Sequence, residues 1–445
     1  MSQVKLFSSS GGARVAKRSG RQKKQKVKKP LKTLAIWLLV ILCLEGLYFF
    51  CIYTNNSFVK KWRTIYINTA MDTMRHQWLA TYFIPKDVID EVRYEYGLVK
   101  AGTVGKESTW GRTDPVPADQ TPSTSNDNIV TLDPNVTHET DQPDAEELTQ
   151  EELEKQAEEN FYSVFWELDR TSMETYLAEH PDTLANGWEH IYINEAGFDD
   201  EGTSIQSTFG EQVLAIDAYN GVLLLRISGK GYRGVLAVGK DPSRLSIEMA
   251  TTLGTAGQLS GTIAEAHNGV LAMNANGFLD PNGAGNGGLL AGYTMSNGKA
   301  YGDHFSAYAY KRIELHEDDL FYIKDALSPV SEDCTDAAEF TPALIVDGKK
   351  IMDDYWTGEQ PRACIGQSEK YEILMLVIEG RYPLEGILGT SVNNCSEILL
   401  QHKCMQAINL DGGSSAMLWF DGEYVTQSSS SPLRYTGGRP LPNAW

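Results

Sequence analysis

The run Leu34–Tyr53, LAIWLLVILCLEGLYFFCIY, is 20 residues long and carries one charge, Glu45. A helix needs about 20 apolar residues to cross roughly 30 Å of hydrocarbon. The run therefore divides the chain into a part before it, a span, and a part after it. Residues 1–53 hold eleven Lys or Arg and one acid, a net of +10, and the whole chain has a net of −20, so residues 54–445 carry −30. The dense positive charge from Lys17 to Lys32 is expected to hold that side in the cytoplasm. The apolar run exceeds the core of a signal peptide, about 7–15 residues, and no small-residue cleavage site follows it. The expectation is an uncleaved single-pass anchor with the acidic body outside the cytoplasm. An acidic body also excludes general binding to nucleic acid, which needs basic surface against phosphates.

The rest of the chain reads in blocks. Residues 1–33 form a basic tail, 34–53 the anchor, and 54–100 a helical juxtamembrane stem. Residues 101–148, rich in Thr, Ser, Pro, Asp and Asn, read as a disordered linker. Residues 149–187 read as a helical lead-in opened by a capping pattern, Thr149 with Glu152. From 188 to 445 short apolar runs alternate with turn signals. Asn220-Gly221 lies between two such runs and predicts a hairpin. YRGVLAVGKDPSRLSIEMA reads as strand, turn and helix, and SVNNCSEILLQHKCMQAINLDGGSS as helix, strand and loop. Interspersed helices and strands predict an α+β or α/β domain on a mixed sheet. Four cysteines lie in the body, Cys334, Cys364, Cys395 and Cys404, where disulfides are permitted, and free buried thiols are the alternative.

Three strand-to-loop junctions concentrate polar residues. The first holds Asn274 and Asn276-Gly277 after GVLAM. The second joins Arg362 in RACIG to the strand ending at Glu379-Gly380-Arg381. The third runs Asn409-Leu-Asp411-Gly412-Gly413-Ser414-Ser415. Each Asn-Gly or Asp-Gly pair is also an ordinary turn signal. Taken together the residue types suit a sugar phosphate. Two arginines clamp phosphate, glycines let backbone approach a ligand, amides and hydroxyls bind sugar oxygens, and Asp411 and Glu379 offer carboxylates. A Ser414 nucleophile would need a histidine base, and the sequence points to none among His267, His304, His316 and His402. A calcium ion on Asp411 is a further alternative.

The order of these motifs resembles the phosphodiester glycosidase family. Its pattern of an apolar strand into N-G-G-F, an R-x-x-x-G segment, a strand ending D-G-R and then N-L-D-G-G-[GS]-S stands here as MNANGFLD, RACIG, VIEGR and INLDGGSSAMLWFDG. GRPLPNAW also resembles the family's closing segment, so the likeness covers about 210–445. NANGF replaces N-G-G-F, and Glu379 stands where the family has Asp. The resemblance implies cleavage of a sugar-1-phosphodiester, of the GlcNAc-1-phosphodiester kind, at the anomeric C–O bond. Asp411 would be the activating carboxylate, assisted by Glu379. Arg362 and Arg381 would hold phosphate. Asn274, Asn276, Asn409, Ser414 and Ser415 would contact sugar or phosphate beside Gly412 and Gly413. A phosphate monoester is a good leaving group, so arginine clamping can substitute for a general acid. The alternative on the same fold is a non-catalytic glycan-binding or exopolysaccharide assembly factor; a stem that binds a protein partner is a third reading.

Overall fold

The computed structural model describes residues 29–73, 76–110, 149–197, 200–281, 285–305, 310–351, 358–429 and 436–445. It divides into two compact units, 1–56 and 57–445. In the first, α1 (Lys29–Tyr53) contains the apolar run. Its segment Thr33–Tyr53, 21 residues of mean hydropathy 2.4, is long and apolar enough to cross a membrane.

The second unit begins with α2 (Ser57–Met71), the short α3 (Trp78–Thr81) and α4 (Lys86–Ala101). Arg93 of α4 ties to α2 through Asp72 at 2.6 Å and Asn68 at 3.0 Å. Beyond α4 the chain is bound to the domain, contrary to a linker starting at 101. Lys311 donates to the carbonyls of Thr103 and Lys106, Ser108 bonds Ile323 and Gln406, and the Trp110 indole donates to Phe321 O at 2.8 Å. A polar composition hid a strap hydrogen-bonded to the strands Lys311–His316, Phe321–Asp325 and Cys404–Asn409. The linker residues 111–148 lie outside the described residues.

The lead-in is two helices, α5 (Gln150–Val164) and α6 (Arg170–Glu179). Thr149 and Glu152 form the reciprocal capping box, and Asp169 caps α6 by accepting from Ser172 N. They lead to a nine-stranded sheet. Its strand order is Tyr192–Asn194, Gln212–Asp217, Val222–Gly229, Tyr232–Gly239, Ile373–Ile378, Arg362–Ser368, Cys404–Asn409, Ala343–Val346 and Lys349–Lys350. The expected hairpin turns at Asn220-Gly221, with Gly221 at φ 65°. A second sheet of five strands includes Lys311–His316, Phe321–Asp325 and Cys334–Phe340. Pairing is antiparallel throughout these sheets, so the domain is α+β rather than α/β.

The main core joins both sheets and includes the C-terminal Trp445, whose ring lies 5.6 Å from Phe321. The expected helix after Lys240 is absent. Pro242–Arg244 make a single 3-10 turn, and Glu248–Met249 pair as a strand with Asn443–Ala444. Helix α7 (Ser260–Ala266) precedes the strand Leu271–Met273, and α8 (Val392–Gln401), capped by Ser391, precedes Cys404–Asn409. Cys334, Cys364, Cys395 and Cys404 are buried free thiols.

Candidate active site

Antiparallel registry brings the second and third junctions to one end of the large sheet, and the first, which follows the strand Leu271–Met273 of a separate sheet, meets the Asp411 loop there. Arg362 opens its strand opposite Ile378, the last residue before Glu379-Gly380-Arg381. Cys364, two residues on, pairs with Asn409, the last residue before the Asp411 loop. The loop is then pressed against its neighbours by glycine. A Cβ on Gly412 would meet Pro361 O at 2.5 Å, and one on Gly413 would meet Arg381 Nη1 at 3.0 Å. Gly413 also has φ 64°, where side chains are strained. Gly277 faces Asp411 from the other side, its added Cβ 3.8 Å from the Asp411 side chain.

Asp411 lies at the centre. Burial pushes its carboxyl above the ordinary range, while the Ser415 hydroxyl, the guanidiniums of Arg439 and Arg381 and the Gly412 amide pull against that shift. A raised carboxylate at a site of gathered polar groups is a base or nucleophile candidate. Tyr310 feels the Asp411 charge and stacks on Phe305 with centroids 3.9 Å apart. Arg439 lies with its guanidinium 4.4 Å from the Phe278 ring centroid and 3.8 Å from Asp280. Sequence reasoning missed Tyr310 and Arg439. The one available signal was that Arg439 is the second residue of the closing segment GRPLPNAW.

The arginines differ from most charged groups in the protein. Arg362 donates to Thr390 O at 3.1 Å and Gly358 O at 2.6 Å. Arg381 donates to the Gln360 side chain at 2.6 Å. Among the described residues neither forms an ion pair. Burial lowers the Arg381 pKa, Arg362 lowers it further, and Asp411 opposes them. Arg381 also holds φ 67°, a conformation that costs roughly 1–3 kcal/mol in a non-glycine residue and that clusters at functional sites.

The other expected contacts divide. Asn274 donates to Asp411 O at 2.7 Å, and its buried Oδ1 has no partner among the described residues. Ser415 bonds Asp411, and Ser414 is half-buried on the same turn. Asn276 is fully buried, with its Oδ1 taken by Thr294 and Asn443 and its amide donating to carbonyls of Ala291, Tyr293 and Glu339. It fixes the loop and has no donor left for a sugar. Asn409 likewise donates to Thr341 O. Glu379 is buried and braced, with one oxygen 2.7 Å from Arg233 and the other accepting from Gln427 N at 2.9 Å. The longer side chain standing in the family's Asp position is thus held by an arginine 146 residues away.

Two alternatives lose ground. The four histidines pair elsewhere: His267 with Glu248, His304 with Glu339, His316 with Glu314 and His402 with Glu211. Calcium does not fit Asp411, because Arg381 and Arg439 already supply positive charge there and no group of three His, Cys, Asp or Glu gathers among the described residues. A cavity of about 280 Å³ lies at the opposite end of the strands, lined by Gly239, Ile373 and His267. Its Lys240 is tied to Glu167 and Glu372.

These features define a polar site at the strand ends of an α+β domain. Residues 267–445 match the model of the phosphodiester glycosidase family. The match supports a glycosidase-type hydrolase. It begins at 267, whereas the sheet also includes four strands between 192 and 239. Among solved structures, the catalytic domain of zebrafish N-acetylglucosamine-1-phosphodiester alpha-N-acetylglucosaminidase, auto-inhibited by its pro-peptide, is 16% identical with TM-score 0.42, covering 50% of this chain and 80% of that one. A hypothetical protein from Synechocystis is 15% identical with TM-score 0.36, covering 54% and 64%. No curated protein matches the chain.

Proposed function

We propose that the protein is a membrane-anchored, extracytoplasmic phosphodiester glycosidase that hydrolyses a GlcNAc-1-phosphodiester-like linkage in a surface or cell-wall glycopolymer. The observation that carries this reading is the pair of half-buried guanidiniums, Arg362 and Arg381, gathered at the Asp411 loop without an ion pair among the described residues. Cations removed from water need an anion, and a substrate phosphate supplies one. Asp411 removes a proton from water as the water oxygen bonds to the anomeric carbon. The C1–O bond breaks, and the electron pair leaves on a phosphate monoester held by the arginines. The apolar helix within Thr33–Tyr53 supports the anchor, and the basic residues before it support a cytoplasmic N-terminus.

A glycan-binding factor without turnover is the second reading, favoured by Glu379 being fully engaged with Arg233 and Gln427. The test is to incubate the full chain in detergent with UDP-GlcNAc and with simple α-GlcNAc-1-phosphodiesters, and to quantify released sugar. Release by the wild type and none by Asp411→Asn is the expected result. Glycan binding with no release by either protein would replace the glycosidase with the binding factor.

A further inference from the structure

Helix α2 of the stem packs on the short segment that partners both arginines. A Cβ on Gly358 would overlap the Thr69 backbone of α2, and Glu359 N donates to the Thr69 hydroxyl at 3.1 Å. The Gln360 side chain then joins stem to clamp. Its amide nitrogen donates to Thr69 O at 3.1 Å, and its oxygen accepts from Arg381 Nη2 at 2.6 Å. Gly358 O accepts from Arg362 Nη2 at 2.6 Å, and Pro361 O accepts from Gly413 N of the Asp411 loop at 3.2 Å. Residues 358–361 thus contact α2, both arginines and the Asp411 loop. Gln360 itself is buried and fixed. Its backbone exchanges hydrogen bonds with Thr390 at 3.1 and 2.9 Å, and a Cβ on Gly389 would overlap its carbonyl. The neighbours also fix which end of the amide faces which group, because Thr69 O can only accept and a guanidinium can only donate.

We propose that Gln360 is a positioning residue of the phosphate subsite: held by Thr69 of α2, it orients the Arg381 guanidinium and, being neutral, leaves the charge of that guanidinium to the substrate phosphate. The proposal rests on the reading of Arg362 and Arg381 as a phosphate clamp. It makes α2 a support of the substrate site, acting through one side chain. A carboxylate at 360 would also accept from Arg381, but as an ion pair that competes with the phosphate. It would also set its charge against Thr69 O, which has no proton to give. An amide meets both neighbours and competes with no anion.

The test is calorimetric titration of inorganic phosphate into the full chain in detergent micelles at pH 7, for the wild type, Gln360→Met, Gln360→Glu and Thr69→Val, with urea midpoints on the same proteins. Gln360→Met releases the guanidinium and should weaken phosphate binding about tenfold. Gln360→Glu should weaken it at least as much, because its carboxylate occupies Arg381. A merely structural contact would instead be restored by Glu, which keeps an acceptor for Arg381. Thr69→Val removes only the hydroxyl that holds Glu359 N, touches neither arginine, and should weaken phosphate binding about threefold. The proposal is overturned if Gln360→Met binds phosphate unchanged, if Gln360→Glu binds it like the wild type, or if the wild type binds none; the last result alone would also remove the arginine clamp. Should the Gln360 variants not fold, Thr69→Val decides, and unchanged affinity there overturns the proposal. Gln360-dependent phosphate binding without release of sugar from any phosphodiester would keep the positioning role and discard the glycosidase.

Discussion

Two clusters of buried charge in this domain are built in opposite ways. In the five-stranded sheet, Arg312, Glu314 and Glu339 are all fully buried. Arg312 meets Glu314 at 2.7 Å and Glu339 at 3.5 Å, and spends its remaining donors on the carbonyls of Ala326, Ser328 and Pro329. Glu314 accepts from His316, which faces Asp333 at 3.2 Å. Glu339 also takes His304 and the amides of Tyr293 and Phe305. Every charge there has an opposite charge. At the end of the large sheet, Arg362 and Arg381 have carbonyl and amide partners only, Asn274 has an idle oxygen, and Arg381 sits in left-handed backbone. A closed network serves the fold. An open one, held under strain, is completed by something outside the chain.

The sharpest separation comes from Asp411→Asn. Loss of the activating carboxylate should reduce sugar release by about 10³-fold, with the unfolding midpoint in urea nearly unchanged because the amide is isosteric. In the closed cluster the reverse should hold. Arg312→Met leaves Glu314 and Glu339 buried without their cation and should cost about 3–5 kcal/mol of stability, read as a lower urea midpoint. Active Arg312→Met protein with wild-type stability would show that the two clusters do not differ in kind.

Much of this contrast was legible in the sequence where the constraint is local. Asp411-Gly412-Gly413 announces a tight loop because two successive residues must lack Cβ, against Pro361 and Arg381. The capping box at Thr149 and the hairpin at Asn220-Gly221 are likewise written within four residues. What could not be read depends on partners far along the chain. Glu379 appears as a second catalytic carboxylate until Arg233 is found on the next strand. Asn276 appears as a sugar ligand until Thr294 and Asn443 take its oxygen. SRLSIEMA has helix-forming composition, but the C-terminal residues Asn443–Ala444 draw Glu248–Met249 into a strand. The stem reaches the site only because the Gln360 side chain, which accepts from Arg381, donates to Thr69 O of α2.

A gentler probe of the open cluster is Arg381→Met. It removes one arm of the clamp and should lower kcat/KM by about 10²-fold. Its stability should stay within about 1 kcal/mol of the wild type, since Arg381 gives up a single hydrogen bond to Gln360 and sheds a partly desolvated charge. A stability loss as large as that of Arg312→Met would place Arg381 in the frame of the protein instead of its site.

Acid titration gives the smallest effects and the most direct comparison of the two carboxylates. Burial pushes Glu314 upward, but hydrogen bonds from His316 and Ser331 and the charge and hydrogen bond of Arg312 bring it down to about 2. A carboxylate depressed in the folded state contributes stability that is present above its unfolded pKa, about 4.3, and is lost as pH falls toward 2. Urea midpoints should therefore decline across that window, and Glu314→Gln should flatten the decline. Asp411 is shifted the other way, chiefly by burial. As a base it works only when ionised, so sugar release should fail on acidification while pH is still above the ordinary Asp range. Between that limb and the loss of Glu314 lies an interval in which the protein is folded and inactive. Circular dichroism and sugar release measured on the same samples would show whether it exists. Activity that persists until the fold itself is lost would mean that Asp411 is not the titrating base.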